Sequence, residues 1–215
     1  MYAALRAGGA MVDLNSIKEK INRMSRSASS MWQLTYGAFI EHDVDLIAKA
    51  LEEENKLNSL EDEINKEIIG KAGANLNSKE KSEIIAYANI AGDFELIGDY
   101  CKDILERIQI KIEEKLLFSE EAVEEYKDLY NKTKGALDEV VFILEKDNPS
   151  LVKEVLRKEE HIDSLVDMYR HNHDQRMLAG ECTPLGCNMF LNMLDFTAAV
   201  YYHIKKIAKS LLQIK

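Results

Sequence analysis

One stretch of this chain occurs twice. Glu53-Glu54-Asn55-Lys56-Leu57-Asn58-Ser59-Leu60 returns as Lys158-Glu159-Glu160-His161-Ile162-Asp163-Ser164-Leu165. The offset is 105 residues, taking Glu54 to Glu159, Asn58 to Asp163 and, just upstream, Leu51 to Leu156. A repeat of this length is a whole supersecondary unit, so the fold must be two copies of one small architecture. The periodicity says which architecture. Leu14, Ile17, Ile21, Met24, Ala28, Met31, Thr35 and Ala38 step by three and four, as the apolar stripe of a helix does. The stripe restarts in the second half with Val123, Tyr126, Tyr130, Thr133, Leu137, Val140 and Leu144.

Punctuation divides each half into three helices. Asp43 suits the N-cap of a second helix running to about Ile69, and the Gly/Asn/Ser-rich stretch 70–78 breaks the chain. A third helix is predicted from about Lys79 to Leu117. Ser119 followed by two glutamates reads as a capped start for the fourth, and Pro149 suits the first turn of a fifth ending near Leu178. A loop from Gly180 to Gly186 precedes a sixth helix, about Cys187 to Leu212. Only 2 Pro and 10 Gly in 215 residues fit long helices and exclude a turn-rich β protein. The fold class expected is all-α: two tandem three-helix bundles, six long antiparallel helices, with a pseudo-twofold internal repeat. The expected division is a linker-like or tag-like terminus over 1–13, a first repeat over 14–117 and a second over 118–215.

Charge excludes some functions. With 28 Lys and Arg against 38 Asp and Glu, the net charge is −10. No basic stripe offsets it, so nucleic acid is not an expected partner. No run approaches the length of a membrane span, and the apolar part of the N-terminus is too short for a signal segment. Three cysteines, Cys101, Cys182 and Cys187, without a secretory signal read as reduced cytosolic thiols. The expected location is cytoplasmic, with room for peripheral association at the inner face of the membrane.

Acids interrupt the stripes. In the third helix Glu95 sits among Ile84, Ala88, Ala91, Gly98 and Leu105, with Asp99 one turn on. Glu54 and Asn58 share a face with Ile47, Leu51 and Leu57; Glu159 and Asp163 do so with Val152, Val155 and Ile162. Side chains four apart lie about 6 Å from one another on one helix face. Two carboxylates so close, buried unpaired, would cost several kcal/mol. A packing seam tolerates them if it is wet, if Lys or Arg reaches them, or if a cation binds between the helices. Glycine at 98 removes a side chain where a neighbouring helix would approach.

These segments resemble the PhoU family, regulators of phosphate uptake. Glu95-Leu96-Ile97-Gly98-Asp99-Tyr100 is similar to that family's Glu-Arg-Ile-Gly-Asp-His segment, and the pairs on the second and fifth helices fall where the family carries its acidic motif. The second half resembles more closely the PhoU-like cytoplasmic domain of bacterial sodium/phosphate cotransporters. That likeness rests on Gly180-Glu181-Cys182-Thr183-Pro184, similar to a Gly-Glu-Cys-Ser-Pro loop, and on Phe118-Ser119-Glu120-Glu121-Ala122. The resemblance implies six helices and a regulator that is not an enzyme. It acts on a membrane phosphate transporter or a sensor kinase, and a homodimer would suit it. It also implies a metal (iron, zinc, magnesium or calcium) on Glu54, Asn58, Glu95 and Asp99 in the first half, and on Glu159 and Asp163 in the second.

Two departures temper this. Asn58 stands for the usual acid and removes a charge. The sixth helix places Ala198 and Tyr202 where acids belong, so the second site should be weak or metal-free, with Lys205 or Lys206 neutralising its remaining acids. The competing readings are a metal-dependent carboxylate-bundle enzyme, either ferritin-like or a phosphohydrolase, and a purely structural module. No Glu-x-x-His occurs, which argues against the di-iron enzyme.

Overall fold

A computed structural model describes residues 13–71, 76–148, 151–153 and 162–214. The described residues form six long helices and no strand: α1 (Asn15–Glu41), α2 (Val44–Lys71), α3 (Ser78–Glu113), α4 (Glu120–Lys146), α5 (Ile162–Leu178) and α6 (Pro184–Leu211). Pro149 and the terminus up to residue 12 lie outside the described residues. Helices α1–α3 pack as one antiparallel bundle and α4–α6 as another.

The repeat shows in the turns. Both α1 and α4 end on a residue in the left-handed conformation, His42 at φ 55° and Asp147 at φ 48°. These positions are again 105 apart. His and Asp are among the non-glycine residues that tolerate that region best. The start of α4 is as expected, the Ser119 hydroxyl accepting from the Ala122 amide. Two starts differ. Asn77 opens α3 with a reciprocal capping box to Glu80. Thr183 caps α6 by accepting from the Gly186 amide, with Pro184 in the first turn, so α6 begins three residues before Cys187.

The stripe of α1 is wholly buried from Ile17 to Ala38. The two bundles meet through like elements, α1 against α4 and α3 against α6, as a pseudo-twofold requires. Aromatic rings fill the first contact. Tyr130 stacks on Tyr36 at 3.9 Å and on Trp32 at 5.3 Å, while Phe39 meets Tyr126 edge-on at 4.8 Å. Such pairs add directional attraction to the burial of large rings. Of Tyr201 and Tyr202, the first is buried and the second exposed. No helix among the described residues is long and apolar enough to cross a membrane.

Candidate functional site

Helices α2 and α3 approach closely at Gly98. A Cβ there would lie 2.9 Å from Cδ1 of the buried Leu57 and 3.9 Å from Cγ of Glu54. The acids of the two helices are thereby drawn together. Glu54 is only 5 % exposed. One of its oxygens, Oε1, accepts from Asn58 Nδ2 at 3.1 Å and from Lys102 Nζ at 3.2 Å. Lys102 comes from α3, two turns beyond Glu95, and its hydrogen bond to Glu54 holds its pKa above the ordinary lysine value. A cation thus already reaches one acid of the seam.

Glu95 has no such partner in the described ion pairs. Burial, followed by the charge and hydrogen bond of Asp99 and the charges of Glu61 and Glu54, pushes its pKa up to about 7. At neutral pH this carboxyl is about half protonated, so the seam carries less than its full negative charge. Glu61 was not anticipated. It stands seven residues beyond Glu54 on the same α2 face, a spacing visible in the sequence, and accepts from Asn65 at 3.0 Å. Glu54, Asn58, Glu95 and Asp99 therefore form one connected field. They are an open cluster, not a closed cage. Among the described residues, three donors within 4.8 Å of one another occur in one group, His173, Cys182 and Cys187. A cation in the seam would need carboxylates to turn toward it, Lys102 to withdraw and Glu95 to lose its proton.

The second half offers less. Glu159 lies outside the described residues, and Asp163 is exposed in the first turn of α5. Tyr202 is exposed and Ala198 half-buried. Among the described residues, Lys206 reaches no second-half acid. Its ammonium lies 2.7 Å from Asp93 of α3, in the first half. Asp93 is buried at 2 % exposure and also meets His203 Nδ1 at 2.8 Å. This ion cluster joins α3 to α6 across the pseudo-twofold, and sequence spacing had not marked Asp93. The α3–α6 contact pulls Lys206 toward the buried acid.

The cysteines correct another expectation. Cys101 is a buried free thiol, but Cys182 and Cys187 form a disulfide. The capped start of α6 turns the chain so that their Cα atoms are 6.0 Å apart, within the range a disulfide spans.

The molecule is a duplicated three-helix bundle whose first half carries an acid-rich helix seam. Residues 21–108, spanning most of α1–α3, match the family described as PhoU domain. The fold is similar to PhoU from Pseudomonas aeruginosa, with a TM-score of 0.86 at 16 % identity, covering 94 % of this chain and 96 % of that one. It is also similar to the phosphate transport system regulatory protein PhoU from Streptococcus pneumoniae, with a TM-score of 0.80 at 13 % identity, covering 94 % of each chain. No curated protein matches the sequence.

Proposed function

We propose that the protein is a PhoU-like regulator of phosphate uptake, without catalytic activity of its own. It would act by docking to a membrane phosphate transporter or its sensor kinase, or as the soluble domain of a sodium/phosphate cotransporter. The observation that carries this reading is the PhoU domain match over residues 21–108, which takes in both Gly98 and the acids around it. The duplicated fold, alike over nearly the whole length of two PhoU structures, supports it. Copurification from detergent-solubilised membranes tests the docking. The tagged chain should retain a phosphate transporter, and its absence from repeated captures under phosphate-replete conditions would count against the reading.

In the same reading, the α2–α3 seam binds a cation through Glu54, Asn58, Glu95 and Asp99. Oxygen donors suit hard ions, and manganese is a fitting probe because thiols compete poorly for it. Binding must displace the Glu95 proton, so affinity rises with pH through about 7. Calorimetric titration of the full chain with manganese at pH 6 and pH 8 should show tighter binding at pH 8. It should also show about a tenfold loss for Asp99→Asn, worth roughly 1.4 kcal/mol. Equal binding by this variant would remove the seam from the proposal.

A further inference from the structure

The group of donors outside the seam has its own chemistry. His173 faces α6 from α5, its ring stacked on Phe190 in the second turn of α6 at 4.8 Å. The residue is 3 % exposed, and neither ring nitrogen has a well-formed hydrogen bond, although the Cys187 backbone faces the ring. A buried imidazole with both nitrogens unanswered is uncommon, because each lost hydrogen bond costs free energy. One ring nitrogen and the sulfurs of Cys182 and Cys187 all lie within 4.8 Å of one another. Burial of His173 pushes its pKa down, so the ring is the neutral form that ligates metals. Cys187 lies in the first turn of α6, where the helix N-terminus favours a thiolate.

We propose that His173, Cys182 and Cys187 form a redox-gated zinc site, filled when the cysteines are reduced and closed when they are joined. Two thiolates and an imidazole are a soft-to-borderline donor set that suits zinc, with water in the fourth position. The disulfide removes both thiolates and leaves His173 as the one remaining donor of the three. Reduction by a cellular dithiol breaks the S–S bond. Two electrons and two protons pass to the cysteine sulfurs while the dithiol becomes its own disulfide. Zinc then displaces the two thiol protons. A trialkylphosphine does the same in vitro: the S–S bond breaks, water supplies oxygen and two protons, and the phosphine becomes its oxide. The buried Cys101, whose thiol burial pushes well up, does not compete.

Cobalt(II) reports the site, since thiolate-to-cobalt charge transfer gives a near-ultraviolet band that carboxylates do not. The full chain treated with phosphine should bind one cobalt with that band and release it to zinc, whereas the untreated disulfide form should show no band. Cys182→Ser and Cys187→Ser should each weaken or abolish the band, and His173→Gln should lower cobalt affinity and alter the visible d–d spectrum. The proposal is overturned by a reduced wild-type chain without the band, by the same band in the oxidised chain, or by a folded His173→Gln chain that binds unchanged. Circular dichroism establishes folding of each variant. Should a variant fail to fold, the wild-type oxidised and reduced forms still decide the matter. The band is blind to the carboxylate seam, so its absence would leave the manganese prediction standing.

Discussion

Glu95 and Lys111 are ionisable groups in poor surroundings for charge, and pH acts on them in opposite directions. For Glu95 the folded pKa of about 7 lies above the ordinary 4.5. The folded chain therefore holds this proton more tightly than the unfolded one. The stabilisation is complete below pH 4.5 and is lost as pH rises through about 7. Glu95→Gln, which keeps the shape without the charge, should be more stable than wild type at pH 8 by on the order of 1–2 kcal/mol. Urea denaturation should show the difference vanishing by pH 4.5. Lys111 is 4 % exposed between the rings of Phe39 and Phe118, at 5.3 and 5.6 Å, and donates to His42. Burial holds its pKa below 10.5, so the folded state loses stability as pH falls below that value. Lys111→Met should raise stability at pH 7 by about 1 kcal/mol. That gain should shrink as pH approaches 10.5, and a constant or negative difference in urea titrations would contradict it. The seam acids were legible because acids on an apolar stripe break a pattern. Lys102 was not, since a lysine at the edge of a stripe looks like any solvated residue until α2 is placed against it. Asp93 was hidden for the same reason: its partners are on α6, 110 and 113 positions away in sequence (93 to 203 and 206).

At the scale of elements, Gly98 sets how closely α2 and α3 approach. An alanine there gains helix propensity but presses on Leu57, so the two effects nearly offset. Gly98→Val adds a branched side chain with no space to enter, and should cost about 1–3 kcal/mol by urea denaturation. It should weaken manganese binding too, as the acids move apart, and a variant as stable as wild type would show the approach to be looser than described. Periodicity marks each helix among the described residues, because each has one dry face. The starts of α3 and α6 were placed late, since Asn77 and Thr183 belong to polar stretches that read as loop until their side chains are seen accepting from backbone amides. The disulfide was not legible because three cysteines without a secretory signal read as reduced thiols. The Thr183 cap brings the start of α6 forward, and Cys187 in that first turn is bonded to Cys182.

For the whole molecule, the 105-residue offset stated the architecture before any coordinate did. It reappears in the paired left-handed turns at His42 and Asp147. How the two copies join was not legible: the stacking of Tyr130 on Trp32 and Tyr36 and the Asp93 cluster depend on which faces the symmetry presses together. The resulting body is asymmetric in chemistry, with an oxygen-rich seam in the first half and a sulfur and imidazole cluster in the second. If the chain regulates phosphate uptake by restraining it, uptake of radiolabelled phosphate by cells lacking the chain is the most direct test. Phosphate-replete cells without it should take up phosphate faster than wild type, and supplying the chain in trans should restore the wild-type rate. Identical uptake with and without the chain would contradict it.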